Sequence, residues 1–333
     1  MKKQMKNEQA PAPQWCNYLQ ELMKNLPGTF DAHTHSVVSD GQETLDELCR
    51  AARCAGVSHL AVTDHDWPLS CKEARELSLR HTLDVIPGVE LNTSHTVNGK
   101  KVCVHLGMMW LPEDRGKELE RVLAHNQSLP REAYVKAMLE KLCRLGIDPV
   151  GGGVDRSYEA IVERNPHSHY LGKGAVSQLL VDTGIVGSRA EAGDRFLSGH
   201  GERLAFVPAE EFFDFADMAW ALEAIQKLNR GRDTAVLATL NHPYYYGLED
   251  AEMETLVRDF SELGGHSLEL FYPRHDEGRL KRVQGLCERY GLLPNGGSDR
   301  HHAGHPFLKG DPALFDALLD FHYKKPTKKA PVL

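Results

Sequence analysis

The chain has 333 residues, a length that suggests two domains or one barrel with an insertion. Because 41% of its residues are hydrophobic and 26% are charged, we expect a globular protein and not a disordered chain. Its 39 Lys and Arg against 47 Asp and Glu give a net charge of −8, which disfavours a protein that wraps long duplex DNA. No apolar stretch approaches the ~20 residues of a transmembrane helix, and the first ten residues do not resemble a signal peptide. The seven cysteines include no Cys-x-x-Cys pair, which fits reduced thiols. We therefore expect a cytoplasmic protein without membrane contact.

A polar leader, residues 1–27, contains one short predicted helix over residues 15–24. From residue 28 apolar strands and amphipathic helices alternate, as in folds built on parallel sheets or barrels. Thr44 and Glu47 form a capping box that predicts where the first of these helices begins. The elements predicted before residue 110 are a strand ending at 32, a helix over 45–55, strands over 59–62 and 84–90, and a hairpin of residues 93–97 and 101–108.

The pattern changes between residues 111 and 205, where helical periodicity replaces the alternation. Helices are predicted there over residues 118–126, 131–145, 176–182 and 190–197. We therefore expect a helical insertion over 111–205 that covers the site of a barrel formed by residues 28–110 and 206–322. In the second part of the barrel the predicted elements are strands over 235–240 and 267–271, a helix over 277–290 and a strand from 292. Residues 323–333 form a loose basic tail.

Histidines and carboxylates stand in or directly after the predicted strands. In β/α barrels the C-terminal ends of the strands face one common mouth, so side chains far apart in the sequence converge there. His33 and His35, like Asp299 and His301, have the i, i+2 spacing that points both side chains of an extended segment the same way. The groups predicted to converge are His33, His35, Asp64, His65, Glu90, His105, His242, Asp299 and His301.

Imidazole nitrogens together with carboxylate oxygens suit Mn²⁺, Fe²⁺ or Zn²⁺. Because one ion takes only about four to six ligands, we expect two or three divalent ions, Mn²⁺ first, with Fe²⁺ or Zn²⁺ as alternatives. Glu90 has two oxygens and follows Gly88, so it is a natural bridge. Ions about 3.5–4 Å apart acidify a bridging water and bind phosphoryl oxygens, so a metal-bound hydroxide is the expected nucleophile. No nucleophile-elbow, P-loop or dinucleotide-binding motif competes with this reading.

Seven short segments carry these residues: His33-Thr34-His35, Ser39-Asp40-Gly41, Thr63-Asp64-His65-Asp66, Gly88-Val89-Glu90, His105-Leu106-Gly107, Asn241-His242-Pro243 and Gly297-Ser298-Asp299-Arg300-His301. In type and order they resemble the motifs of the PHP (polymerase and histidinol phosphatase) phosphoesterases. The resemblance covers residues 30–110 and 235–305. It implies a distorted seven-stranded (β/α)7 barrel of the α/β class, with a helical insertion and a centre of two or three metals.

The resemblance also implies which residues bind each ion. One ion would take His33, His35, Glu90 and Asp299, a second Glu90, His105 and His242, and a third Asp40, His65 and His301. Asp64 and Asp66 would be capping groups or groups that orient the imidazoles.

Asp40 and the insertion are most similar to a branch of nucleotide phosphatases and 5′-to-3′ exoribonucleases that act on short RNA. The implied partner is a phosphorylated small molecule or the 5′ end of a short single strand. That branch usually has a Thr-Arg-Gly-His-like segment facing the substrate phosphate, where this chain has Gly172-Lys173-Gly174-Ala175, with His167 and His169 upstream. Ala175 cannot replace a histidine. We expect substrate contacts from Lys173, Arg300 and His305, and protonation of the leaving oxygen by His301 or His305.

Three questions stay open at this point. A metal-dependent amidohydrolase on a related barrel would usually bridge its metals with a carboxylated lysine, whereas this chain has Glu90 at the corresponding position. A non-catalytic metal-binding PHP module would typically have lost ligands, whereas all nine matching positions are kept here. Tyr244-Tyr245-Tyr246 would offer either a stacking face for a nucleobase or a packed loop at the rim of the barrel.

Overall fold

The computed structural model describes residues 29–198 and 202–324. The helix predicted over residues 15–24 and most of the basic tail lie outside these residues. Within them, no helix combines the length and the apolar character needed to cross a bilayer.

Seven strands form one sheet in which spatial order follows chain order. The sheet is nearly closed, because the chain after β7 returns to the chain after β1. There Ala32 N–H donates to the carbonyl of Gly296 over 3.1 Å, and Asp299 N–H donates to the carbonyl of His33 over 2.9 Å. The predicted seven-stranded α/β barrel is thereby confirmed. The strands are β1 Phe30–Asp31, β2 His59–Val62, β3 Asp84–Val97, β4 Lys100–Met109, β5 Leu237–Leu240, β6 Ser267–Phe271 and β7 Leu293–Gly296.

Neighbouring strands run parallel except at β4, which is antiparallel to both β3 and β5. The turn at Asn98 and Gly99, with φ of 50° and 83°, reverses the chain in two residues and leaves no room for a crossover helix. β3 is one continuous strand of 14 residues, where two separate strands were predicted. The long hairpin places His105 in the middle of β4 rather than at a strand end.

The described helices are α1 Leu45–Ala55, α2 Cys71–His81, α3 Gly116–Gln127, α4 Arg131–Arg144, α5 Gly153–Arg164, α6 Lys173–Asp182, α7 Arg189–Ala192, α8 Met218–Asn229, α9 Asp250–Glu262, α10 Glu277–Tyr290 and α11 Pro312–His322. The predicted capping box begins α1: the Thr44 hydroxyl accepts from Glu47 N–H, and the Glu47 carboxylate accepts from Thr44 N–H.

Two apolar clusters show where the helices between β4 and β7 pack. The larger cluster packs α3, α8, α9 and α10 against β3 to β6. A second cluster joins α4 and α6 to the chain between α7 and Phe215. The helical segment, which here means α4 to α7 and the chain that follows to Phe215, therefore has a core of its own. The helices before and after it, α3 and α8, pack on the barrel.

His266, directly before β6, makes the stability of the barrel dependent on pH. Its Nδ1 accepts a hydrogen bond from Ala238 N–H over 3.0 Å, and burial lowers the pKa of His266 to about 4. The unfolded chain takes up this proton near the ordinary value of 6.5, so the contribution of His266 to stability is lost as the pH falls from 6.5 towards about 4.

We expect the wild type to lose about 2 kcal/mol more unfolding free energy than His266→Asn between about pH 7.5 and pH 5. Asparagine keeps an acceptor oxygen for Ala238 N–H and has no titrating group. Urea unfolding at the two pH values measures the difference. Equal losses in both proteins would show that His266 does not set this dependence.

Candidate metal centre

The first group of converging side chains lies where the barrel closes. His33 and His35 follow β1, and Asp299 follows β7. The Nε2 atoms of the two histidines are 3.1 Å apart, and Asp299 Oδ1 lies 3.5 Å from His33 Nε2 and 3.3 Å from His35 Nε2. Glu90, from β3, places Oε1 3.2 Å from His33 Nε2 and Oε2 3.3 Å from His35 Nε2. One ligand atom from each of the four lies within 4.8 Å of the others.

A second group lies on the Asp40 side. Asp40 Oδ1 is 3.2 Å from His301 Nε2, 3.9 Å from His65 Nε2 and 3.8 Å from His35 Nδ1. His301 Nδ1–H donates to the carbonyl of Asp299 over 2.8 Å, which leaves its Nε2 lone pair directed at Asp40. Asp40, His65 and His301 therefore come together as the sequence predicts, with His35 added to the group.

Glu90 is the point where a third group meets the first. Its Oε2 lies 3.2 Å from His65 Nδ1, and its Oε1 lies 3.3 Å from His105 Nδ1 and 3.1 Å from His242 Nε2. The resemblance implied Glu90, His105 and His242 as one set. In the structure the compact group is His65, Glu90 and His105, and His242 contacts Glu90 without belonging to that group. Only 1% of Glu90 is exposed, so this carboxylate is surrounded by imidazoles.

Several buried polar atoms of these groups have no hydrogen-bond partner: Asp40 Oδ1, His65 Nδ1, Glu90 Oε2 and His105 Nδ1. A buried polar atom without a partner costs about 1–3 kcal/mol, so such atoms are rarely gathered in one place. They offer two carboxylate oxygens and two imidazole nitrogens, which are donors that divalent transition metals accept. The donor set therefore fits several divalent metal ions.

Some of the ligands are already in the protonation state that metal binding requires, and others are not. Burial disfavours the charged rings of His33 and His35, but the carboxylates of Glu90, Asp299 and their neighbours outweigh it and raise both pKa values, that of His35 to about 10, so these two rings must lose a proton when they bind a metal ion. Burial would raise the pKa of Glu90, but the nearby His33, His105 and His65 outweigh it and hold this pKa well below its ordinary value. Burial lowers the pKa of His65 well below its ordinary value, despite the carboxylates of Glu90 and Asp40. An ionised carboxylate beside a neutral imidazole is ready to bind a cation without first losing a proton.

Two further residues, which the sequence reading missed, hold the candidate ligands in place. Glu269, in β6, accepts from His33 Nδ1–H over 3.1 Å and from His242 N–H over 2.6 Å. Asn241 Nδ2–H donates to Glu90 Oε1 over 2.8 Å. A carboxylate on the second side of a ligand histidine fixes its tautomer and orientation. For Glu269, the signal available in the sequence was that it is the single charged residue of the predicted strand over 267–271.

The backbone at the centre is tightly constrained. His242 and Asp299 have positive φ angles of 27° and 52°, a region that residues other than glycine rarely adopt. Such strain persists where the surroundings impose it, which is common at functional sites. A Cβ at Gly297 would overlap the Cβ of His33, so only glycine allows the chains after β1 and β7 to lie this close.

Of the two roles expected for Asp64 and Asp66, their contacts fit groups that cap and fix loops, not groups that orient imidazoles. The Asp64 carboxylate accepts from Ser36 N–H over 2.8 Å and from the Ser39 hydroxyl over 2.6 Å, which fixes the loop that carries Asp40. Asp66 is buried and forms an ion pair with Arg131 of α4 over 2.7 Å. These two residues therefore fix the position of the Asp40 loop and of the helical segment.

The helical segment reaches the centre through Tyr170. Its ring stacks on the ring of His65, with centroids 4.5 Å apart, and the Arg131 guanidinium covers Tyr170 with its carbon 3.7 Å from the ring centroid. The ring of His169 stacks on Trp67 instead of pointing at the metal ligands, and His167 is exposed. Lys173 is partly exposed at the start of α6. A role for Lys173 at the substrate stays a prediction.

The structure places Arg300 away from a substrate role. Its guanidinium binds both carboxylate oxygens of Glu43, over 2.8 and 3.0 Å, donates to the carbonyl of His305 and lies over the ring of Phe307. Only 3% of Arg300 is exposed, so we do not retain it as a substrate contact. Burial lowers the pKa of His305 to about 4, so this ring carries no extra proton to donate near neutral pH.

The three consecutive tyrosines have different environments. The Tyr246 hydroxyl donates to the carbonyl of Asn241 over 2.6 Å and accepts from His105 N–H over 3.0 Å, so it is a packing residue. Tyr244 packs its edge against His275. Tyr245 is 47% exposed, with its ring centroid 5.1 Å from that of His242. Of the three, Tyr245 is the one available to a ligand at the mouth.

The family model of the PHP domain matches residues 31–171. A 5′-3′ exoribonuclease of Haemophilus influenzae is 27% identical over 272 residues, which cover 82% of this chain and 89% of that protein. A 3′,5′-nucleoside bisphosphate phosphatase of Chromobacterium violaceum is 25% identical over 278 residues, which cover 83% and 88% of the two proteins. The solved structure of a Chromobacterium violaceum amidohydrolase superimposes with a TM-score of 0.70 at 24% identity, over 85% of this chain and 90% of that one. This structural likeness shows the fold.

Proposed function

Because this chain is a PHP-domain phosphoesterase that depends on metal ions, we propose that it hydrolyses a nucleotide phosphomonoester or releases the 5′-terminal nucleotide of a short RNA. The observation that carries the proposal is the sharing of Glu90 between two overlapping ligand groups. Divalent ions held in this way acidify water and neutralise the oxygens of a phosphoryl group. Such a centre needs no nucleophile from the protein.

We assign the ligands as follows: one ion to His33, His35, Glu90 and Asp299, a second to Glu90, His105 and His242, and a third to Asp40, His65 and His301. The residues around them hold these ligands in position. Glu269 orients His33, and the Tyr272 hydroxyl donates to Asp299 Oδ2 over 3.2 Å. Glu90 belongs to two of the ligand groups and stands where an amidohydrolase on a related barrel would usually have a carboxylated lysine. The phosphoesterase reading is therefore the better one.

The choice of a nucleotide substrate is supported by Tyr245. Its exposed ring lies beside His242 and His105, and exposed aromatic rings at a binding site can stack on nucleobases. Two relatives, a 5′-3′ exoribonuclease and a 3′,5′-nucleoside bisphosphate phosphatase, support the same class of substrate.

We expect Tyr245→Ala to raise KM for a nucleotide about tenfold, because one base–aromatic stack is worth about 1–3 kcal/mol. KM for p-nitrophenyl phosphate, whose small leaving group does not extend to the rim, stays unchanged. Tyr245→Phe keeps the aromatic face and serves as the matched control, with KM near that of the wild type. Equal KM values for the nucleotide in all three proteins would exclude stacking on Tyr245.

Phosphate release from mononucleotides, nucleoside 3′,5′-bisphosphates and short 5′-phosphorylated RNAs tests the proposal. We expect hydrolysis of at least one of these classes, its loss after treatment with EDTA, and its return on addition of Mn²⁺. Fe²⁺ and Zn²⁺ serve as comparison ions. Hydrolysis that survives complete removal of metal, or no hydrolysis of any phosphoester with any of the three ions, would contradict the proposal.

A further inference from the structure

We propose that Arg189 binds a phosphate oxygen of the substrate at the Asp40 end of the metal centre. This inference rests on the proposed function and deepens it, because it assigns a substrate contact to a residue that no sequence motif singled out.

The position of the guanidinium is the first observation. Arg189 begins α7, in the helical segment, and its side chain extends back to the start of α6. A Cβ built on Gly174 would lie 2.5 Å from Arg189 Nη2 and 3.3 Å from Asp40 Oδ2. Arg189 and Asp40 therefore face the same small space, and the missing side chain of Gly174 keeps that space open. Any residue larger than glycine would push the guanidinium away.

The surrounding charges are the second observation. Asp40 directs its other oxygen, Oδ1, towards His301 at 3.2 Å, so that oxygen faces the ligand group and not Arg189. Within residues 29–198 and 202–324, no carboxylate forms an ion pair with Arg189. Arg195, six residues further on, is instead paired with Glu191 over 2.9 Å.

An unpaired guanidinium beside a site for divalent cations has one suitable kind of ligand, an anion that both can share. A phosphate group bound at the Asp40 and His301 end would bring an oxygen within reach of Arg189. The planar guanidinium can donate two parallel hydrogen bonds to a phosphate, which a lysine cannot do. Arg189 is thus a substrate-binding residue supplied by the helical segment.

Inorganic phosphate is the probe for this inference. We expect Arg189→Gln to weaken binding of inorganic phosphate to the Mn²⁺-loaded protein about 10- to 100-fold in calorimetry, since one hydrogen bond to a charged group is lost. KM for p-nitrophenyl phosphate should rise by a similar factor. Manganese content and melting temperature should match those of the wild type. Arg189→Lys should fall between the two proteins.

Arg195→Gln is the matched control, because Arg195 is a nearby arginine of the same segment with a carboxylate partner of its own. We expect wild-type phosphate affinity in this variant. Unchanged phosphate affinity in Arg189→Gln, or a loss of manganese from it, would overturn the assignment of Arg189. If Arg189→Gln does not fold, Arg189→Lys decides, and wild-type phosphate affinity in that variant overturns the assignment. Failure of the wild type to hydrolyse any phosphoester would instead refute the proposed function, because phosphate affinity is measured without turnover.

Discussion

Replacing Glu90 with glutamine is expected to abolish phosphoester hydrolysis, with kcat/KM falling by more than about 10³-fold. Metal ions contribute several kcal/mol of charge stabilisation to phosphoryl transfer, and each 1.36 kcal/mol corresponds to about a factor of ten in rate. Among the described residues, Glu90 is the carboxylate that lies within 3.3 Å of ring nitrogens of His33, His35 and His105 together. Glutamine has the same shape but lacks the charge that would hold two cations together.

Two controls separate this effect from a general loss of structure. Glu269→Gln changes a carboxylate that orients His33 without joining the ligand groups, and we expect a loss of only about 10- to 100-fold. Glu277→Gln removes an exposed charge paired with Lys281, and its kcat/KM should match that of the wild type. Steady-state kinetics at saturating Mn²⁺ compares the variants. Activity of Glu90→Gln within tenfold of the wild type would exclude Glu90 as the bridging ligand.

Replacing Asp66 with alanine is expected to destabilise the protein by about 3–5 kcal/mol, because it leaves a buried arginine without its partner. The Asp66 side chain is fully buried and accepts from Asn92 N–H over 3.0 Å, from Asn126 Nδ2–H over 2.8 Å and from Arg131 Nη2–H over 2.7 Å. These bonds join β3 of the barrel to α3 and α4. Asp66 also has a positive φ of 56°, a conformation that alanine adopts poorly.

Asp66→Asn is the matched control. It keeps one acceptor oxygen and tolerates the left-handed backbone, so we expect a smaller loss of stability than in Asp66→Ala. Denaturant unfolding measures both variants, and limited proteolysis shows whether the helical segment loosens first. Because Tyr170 stacks between Arg131 and His65, loosening of that segment should also weaken metal retention. A stability of Asp66→Ala within 1 kcal/mol of the wild type, about the effect of an ordinary substitution, would show that the Asp66–Arg131 pair is not the anchor.

The sequence was sufficient to predict which side chains meet at the centre. His33 and His35 are placed together by the two-residue period of extended chain, and a barrel brings strand ends together. Asp299 and His301 also reach the centre, but the positive φ of Asp299 breaks the extended period and the two side chains join different ligand groups. Local signals also predicted well: the Thr44 capping box begins α1, and Asn98-Gly99 makes the β3–β4 turn. These features depend on residues that are close in the sequence or on the general geometry of a barrel.

Features that depend on tertiary packing could not be predicted from the sequence. The ion pair of Arg300 with Glu43 joins residues 257 positions apart, so a motif arginine expected at the substrate proved to be buried in a structural contact. The stack of Tyr170 on His65 and the approach of Arg189 to Asp40 depend on how the helical segment folds over the mouth. Nothing in the local sequence around Tyr170 or Arg189 distinguishes them from other aromatic or basic residues of that segment.

Metal content provides the most direct test of the central claim, that imidazoles and carboxylates from both parts of the barrel bind several divalent ions around Glu90. The protein should be stripped of metal, reloaded with Mn²⁺, desalted and measured by plasma mass spectrometry. We predict about two to three manganese ions per wild-type chain and a clear loss in Glu90→Gln. Fewer than two ions in the wild type, or the same content in Glu90→Gln, would contradict that claim.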